Sequence, residues 1–479
     1  MSTPTPTPGR GRRVAERKPG AVSRQTVAGG VLVALAAGML AVAGLAGSAD
    51  GPEAVSTSVP VDHVTAVCAS GRPELTGSRT MLLGSAPLDG LGSGGRAVFA
   101  PDGNLDGAEP QRLERGRAVE LRPESTGVVD VDGGLAAGTF VFQADRDSDA
   151  PSLATAECPT PRARWYFTGA GATVDHQSTL VLTNVDPGPA VVDVTVLGTE
   201  GEVDTVGTRG LTVPAGETLR IPMVDVAPQG EALSIQVSAS RGRVAAAVAD
   251  RFAAEPGDAP GTDWLPAQTA ASRSLRVAPV IERADSSTLV VANHGRLEAL
   301  VEVEVSGPSG AFQPTENAEL QIPPGSVVTA DLGSGIGKDA ASVNLRSSSP
   351  VSATVRSLRG GDTSYAGEAP PLTGPAVAPV LGDKATVQLS AGRRDATAQV
   401  TAYDADGKRV DQATVEVPAT ATSTWRPGRD ADYVLVEPGS GALSGGISYS
   451  GSGGTSQVRL QPLPVELRKP AVLPVLAAR

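Results

Sequence analysis

The stretch "STLVLTN", Ser178 to Asn184, returns 109 positions downstream as "STLVVAN", Ser287 to Asn293. The match continues in register on both sides of a turn. Val192, Val194 and Val196 in "VVDVTV" fall on Val301, Val303 and Val305 in "LVEVEV", with Asp193, Thr195, Glu302 and Glu304 between them. Apolar residues at every second position predict a strand with one face buried and one face wet. Gly201 falls on Gly310, where a turn needs a residue that tolerates positive φ. "VPAGETL", Val213 to Leu219, falls on "IPPGSVV", Ile322 to Val328, so that Pro214 meets Pro323 and Gly216 meets Gly325.

Each copy then closes with two further apolar runs, "LSIQVSAS" with "RVAAAVADR" and "ASVNLRSSS" with "PVSATVRSL", which are spaced as hairpins. About seven short strands per unit, with turns every eight to twelve residues, is the pattern of a β-sandwich. A worn third copy runs from Ala385 to Ser450, with Gly407 at its turn. A fainter one lies upstream, where "AVELRP", Ala118 to Pro123, echoes "TLRIP". The phrases "VAPVI" (277–281), "VAPVL" (377–381) and "VLPVL" (472–476) read as the ends of units.

The fold class expected is therefore all-β, a tandem array of immunoglobulin-like β-sandwiches, each burying its own core. The alternative is a β-propeller with these units as large blades. Composition agrees: aromatics make up 3% of the 479 residues, and 57 Gly and 39 Pro favour short strands joined by turns. The expected division is a basic tail over 1–26, a membrane segment over 27–47, a linker over 48–60, a degenerate β domain over 61–160, and sandwich repeats over 161–281, 282–381 and 382–479.

Residues 1–26 carry Arg10, Arg12, Arg13, Arg17, Lys18 and Arg24 against Glu16 alone, in a composition that cannot bury a core. "VAGGVLVALAAGMLAVAGLAG", Val27 to Gly47, holds no charge. As a helix rising about 1.5 Å per residue it spans roughly 30 Å of hydrocarbon. A basic flank stays cytoplasmic, so the remainder is expected outside the membrane. The rival is a cleaved signal peptide ending at the small residues Gly47 and Ala49, but secretory apolar regions are shorter, about 7–15 residues.

Removing the six basic and one acidic residue of the first 49 leaves 34 basic against 51 acidic side chains on the exported side. That acidic exterior argues against nucleic acid as a partner. Cys68 and Cys158 both lie there, and an even count in an oxidising compartment reads as one disulfide. The alternative is two buried free thiols; neither cysteine has the spacing of a metal site.

Candidates for chemistry are few. The histidines are His63, His176 and His294. "DHQS", Asp175 to Ser178, has the letters of a nucleophilic triad, but alternate residues on a strand stand about 6.6 Å apart at Cα, too far for a direct histidine to serine bond. "DRDSD", Asp145 to Asp149, lacks the Gly and Glu of a helix-loop-helix calcium site and reads as a solvated hairpin tip. "DADG", Asp404 to Gly407, reads as a turn. The one dense aromatic cluster is Trp165, Tyr166 and Phe167, expected to pack in a core, with contact to a glycan or partner as the alternative. No catalytic, cofactor-binding or metal-binding set is expected.

"WYFTGAGATVDHQSTLVLTNVDPGPAVVDVTVLGTEG", "VPAGE" and "GRVAAAVADRF…GTDWLP" resemble a family of actinobacterial exported proteins catalogued only as a domain of unknown function. "AVCAS" and "AECPTPRARWYF" resemble that family's paired cysteines. The resemblance implies an anchored envelope protein with no assigned activity and no catalytic residues to carry over. The function expected is a non-catalytic, membrane-anchored extracytoplasmic protein with a structural or protein-interaction role. The alternative is a module that binds cell-wall glycan.

Overall fold

Val192, Val194 and Val196 lie on a strand, Ala190–Gly198, that buries all three and leaves Val191, Asp193 and Thr195 half-buried. Its counterpart Ala299–Gly307 buries Val301, Val303 and Val305 in the same alternation. The computed structural model describes residues 58–70, 77–147, 152–333, 336, 338–381, 384–451 and 453–468. The predicted membrane segment 27–47 lies outside the described residues. Among the described residues no helix is long and apolar enough to cross a membrane.

Four β-sandwiches follow one another between His63 and Arg459, all within the compact unit Val59–Leu467. Their wiring is the same. Counting the strands of a unit in chain order, the first, sixth, third and fourth form one sheet, and the fifth, second, seventh and eighth form the other. In the first sandwich these sheets order His63–Cys68, Gly127–Gly133, Gly95–Ala100, Glu109–Gln111 and Ala118–Leu121, Arg79–Ser85, Thr139–Arg146, Leu153–Glu157. The upstream segment that barely resembles the repeats in sequence thus shares their topology. No closed propeller is formed: each unit has two layers, which in the third are joined into one eight-stranded sheet by a strand common to both.

The repeated words hold equivalent places. Leu180 and Leu182 match Leu289 and Val291 in the second and third cores, which also hold Val213 and Ile322. Asn184 and Asn293 close the repeated stretch for a shared reason: the Asn184 amide donates to the Gly188 and Val213 carbonyls at 2.8 and 2.9 Å, and that of Asn293 to Leu297 and Ile322 at 2.8 and 3.0 Å. Each buried asparagine thereby ties a loop carbonyl to the end of a strand, Leu211–Val213 or Glu319–Ile322. Gly201 and Gly310 turn with φ of 130° and 112°, as the turn reading requires.

Three readings are corrected. The two closing runs of each repeat are not hairpins: Leu233–Arg241 pairs with Arg164–Ala170 and Ala190–Gly198, whereas Ala245–Phe252 joins the opposite sheet, pairing with His176–Thr183. In the third sandwich the same two runs are one 19-residue strand, Ala341–Arg359, that passes from one layer to the other. The phrase read as a unit end opens the next unit instead. Val277 lies on Ser272–Val280, which pairs with Ala341–Arg359, and Val377 lies on Ala376–Pro379, which pairs with Tyr433–Pro438. The boundaries at 281 and 381 therefore move upstream, ahead of Ser272 and Ala376; "VLPVL" lies outside the described residues.

The third correction concerns separate cores. Tyr365 of the third sandwich sits in the core of the second. Phe140 and Phe142 of the first join the core of the fourth, with the Phe140 ring 5.1 Å from that of Tyr433. The turn at Asp404–Gly407 forms as expected, yet it also docks on the first sandwich. Gly407 has φ 80°, a Cβ there would meet the Gly116 carbonyl oxygen at 2.6 Å, and Ala118 N–H donates to the Ala405 carbonyl at 2.9 Å.

Cys68 and Cys158 are joined, with Cα atoms 4.6 Å apart. Cys68 ends a strand of one sheet and Cys158 follows the last strand of the other, so the bond ties the two layers of the first sandwich. Protein unfolded without reductant and treated with a thiol-alkylating reagent is expected to show neither cysteine labelled. Two labels would refute the bond.

Candidate functional site

The eighth strands of the four sandwiches are Leu153–Glu157, Gly261–Leu265, Asp362–Ala366 and Gly454–Arg459. An edge strand in a lone sandwich would show its polar side to water. Here these strands pack on one another in a ring, the first against the second and fourth, the third against the second and fourth. Thr155, Asp263, Asp362, Ser364, Ser456 and Gln457 are consequently buried.

Two carboxylates join the ring. Asp263, from the second sandwich, accepts from Thr155 N–H at 3.3 Å, Ser456 Oγ–H at 3.1 Å and Tyr365 N–H at 3.1 Å, one partner in each of the other three units. Asp362, from the third, accepts from Thr455 N–H at 2.7 Å and Leu153 N–H at 3.4 Å, besides Thr363 N–H at 2.9 Å. Burial raises the Asp263 carboxyl well above its ordinary range despite the hydrogen bonds, and the charge of Asp362 adds to the shift. Burial pushes Asp362 up to about 7, opposed by the backbone donors around it. Thr363 Oγ1, Ser364 Oγ, Thr455 Oγ1 and both amide atoms of Gln457 are buried here with no hydrogen-bond partner among the described residues.

At one end of the ring lies a cavity of about 100 Å³, lined among others by Trp165, Phe167, Trp264 and Tyr365, with Arg459 and Glu157 beside them. Arg459 pairs with Glu157 at 3.0 Å and donates to the Ala267 and Glu368 carbonyls at 3.4 and 3.3 Å, so one guanidinium fastens segments from three parts of the ring.

The aromatic cluster is packed rather than presented. Trp165, Tyr166 and Phe167 are 3%, 7% and 1% exposed. Trp165 Nε1 donates to the Val244 carbonyl at 2.9 Å, and Tyr166 stands edge-on to His294 of the third sandwich, 4.7 Å between ring centres. Trp165 and Phe167 also form part of the wall of the cavity at the end of the ring. His294 bonds to Ser352 Oγ at 2.7 Å, and burial lowers its pKa to about 4.

The letters of "DHQS" do not form a relay. His176 Nε2 and Ser178 Oγ both turn to Asp250 of the adjacent strand, the first at 3.1 Å, and Tyr365 donates its hydroxyl to the same carboxylate at 2.5 Å. Burial pushes Asp250 up, but His176 and the three hydrogen bonds outweigh it and hold the carboxyl below its usual range. Ser178 and His176 are 3% and 4% exposed. Asp145 of "DRDSD" is likewise not at a solvated tip: it is 4% exposed, pairs with Arg79 at 2.7 Å and accepts from Trp264 Nε1 at 2.8 Å. Ser148 and Asp149 lie outside the described residues.

One surface set was not foreseen. His63, Asp130 and Asp132 place their ligand atoms within 4.8 Å of one another, the only such group of metal-ligating side chains among the described residues. His63 and Asp132 face each other across paired strands, which sequence spacing does not reveal. His63 is already bonded to Asp130 at 2.8 Å, and Thr65 donates to the same carboxylate at 2.6 Å, so local hydrogen bonding accounts for the cluster.

Curated proteins offer no sequence match. Among solved structures, the crystal structure of the Streptomyces avermitilis alpha-L-rhamnosidase complexed with L-rhamnose is similar at 10% identity and a TM-score of 0.13, and the match covers 81% of this chain and 57% of that one. This chain thus spans little more than half of that structure, and a likeness so slight carries no argument. Sequence family is clearer: with residues 121–428 matched, the chain belongs to the family of unknown function DUF5719.

Proposed function

We propose that the protein is a non-catalytic, membrane-anchored extracytoplasmic envelope protein, in which four fused sandwiches form a rigid platform for interaction. The observation that carries this reading is the ring of closing strands. Its two carboxylates, with Thr155 and Ser456, are buried and spent on joining the units, and its remaining hydroxyls and the Gln457 amide are buried with them. An active site needs reactive groups converging on a cleft that substrate can enter. The charge-free segment 27–47 with its basic flank supports anchoring, and the acidic exterior and the Cys68–Cys158 bond support an oxidising compartment.

The full chain expressed in its own cells is expected to fractionate with membranes. Protease added outside is expected to reach everything beyond about residue 50. Mass spectrometry of the mature protein then reads the N-terminus directly, and a chain beginning near Ser48 or Asp50 would overturn the anchor. Digestion only in lysed cells would overturn the extracytoplasmic placement.

A further inference from the structure

A groove of about 910 Å³ opens between the third and fourth sandwiches. Its lining brings together Arg283, Arg359, Lys384, Arg426 and Arg429. Among the described residues that line it, Glu282 is the one carboxylate, in a protein whose exported part is strongly acidic. Glu282 is already engaged: its side chain pairs with Arg426 at 3.2 Å and its carbonyl accepts from Arg359 at 2.8 Å. Arg283, Lys384 and Arg429 are exposed and have no carboxylate partner among the described residues.

Random scatter of charge on an acidic surface would intersperse signs. A cation cluster gathered from positions 283 to 429 in sequence and set into a concavity concentrates positive potential where low-dielectric walls focus it. Arginine forks match phosphate oxygens in paired hydrogen bonds, and lysine adds a point charge. A flat membrane surface cannot follow a concave wall, whereas a linear chain can lie along it. We propose that this groove binds a linear phosphate-bearing polyanion through Arg283, Lys384 and Arg429, with Arg426 held in place by Glu282. The inference goes beyond the platform reading and does not depend on whether the chain is anchored.

The test uses the full chain in detergent with fluorescently labelled inorganic polyphosphate as the probe, read by anisotropy at low and moderate salt. Binding is expected to weaken as salt rises. The triple variant Arg283→Gln/Lys384→Gln/Arg429→Gln is expected to lose about tenfold or more in affinity and to flatten the salt dependence, as counterion release at fewer phosphates requires. The double variant Lys384→Gln/Arg429→Gln, which leaves the φ 57° position of Arg283 untouched, should lose part of it. Removing the same charge elsewhere, Arg96→Gln/Arg251→Gln/Arg273→Gln, should change little. Free inorganic phosphate should compete poorly at equal phosphate, since it engages one cation at a time. Equal losses in the groove and control variants, no polyphosphate binding by the unaltered protein, or tighter groove-dependent binding to phosphatidylglycerol vesicles than to the polymer would each overturn the proposal.

Discussion

Replacing Val194 with Asp is expected to melt the second and third sandwiches together. Val194 is 1% exposed, pairs with Val237 in the same sheet as Trp165 and Ile235, and shares the second core with all three. A carboxylate there has no partner, and burying one costs several kcal/mol, a large share of the 5–15 kcal/mol that holds a typical domain. If each unit owned its core, the damage would stop at the unit's edge. It does not own it. The Tyr365 side chain of the third sandwich fills part of the second core and bonds Asp250, while Asp263 of the second holds backbone donors of the first and third. Losing the second sandwich leaves a tyrosine without its packing and buried N–H groups without acceptors, each worth about 1–3 kcal/mol. Glu302→Gln, at an exposed position on the equivalent strand of the third sandwich, should stay within about 0.5 kcal/mol of the parent. Calorimetry and limited proteolysis check this: a protected fragment covering 272–366 in Val194→Asp would show that the units unfold independently.

That coupling marks where sequence reasoning stopped. Strand faces were legible because one buried face imposes period two on the chain itself, as at Val301, Val303 and Val305. Turns were legible for a similar reason, since Gly201, Gly310 and Gly407 answer a local demand on φ. The passage from one sheet to the other was missed because two neighbouring apolar runs look the same whether they pair or diverge. The absence of Gly or Asn from Ser347, Ser348, Ser349 and Pro350 was the available hint. "GTDWL", "DTSYA" and "GTSQV" carry no burial signal of their own, because what buries them is another sandwich, far away in sequence. Their recurring threonine, at 262, 363 and 455, was the one signal that these edges share a task. Cations of the groove gave none, as positions 283 and 429 are neighbours only after folding.

Asp362 and His294 should make opposite contributions to stability against pH, on top of the fall with rising pH that the raised Asp263 carboxyl adds. Asp362 ordinarily titrates at 3.8 and is pushed up to about 7 when folded. Between those values the folded chain holds a proton that the unfolded chain has lost, so stability from this group falls as pH rises from about 4 to about 7, by on the order of 4 kcal/mol in all. His294 ordinarily titrates at 6.5 and is lowered to about 4 by burial. Over that interval the unfolded chain holds the extra proton, so stability from His294 rises with pH, by roughly 3 kcal/mol. The two slopes nearly cancel below pH 6.5, and the unaltered protein should show little dependence there from this pair. Asp362→Asn removes its own falling slope and is expected to make stability climb with pH between about 4 and 6.5 relative to the unaltered protein. His294→Gln, which can keep a hydrogen bond to Ser352, removes the rising slope and should make stability decline across the same range. Denaturant midpoints at about pH 4.5 and about pH 7.5 read both differences directly. Parallel pH profiles for the two variants would mean that neither group changes its proton affinity on folding, and that the carboxylate at the centre of the ring is held charged by its backbone donors at every pH in the range.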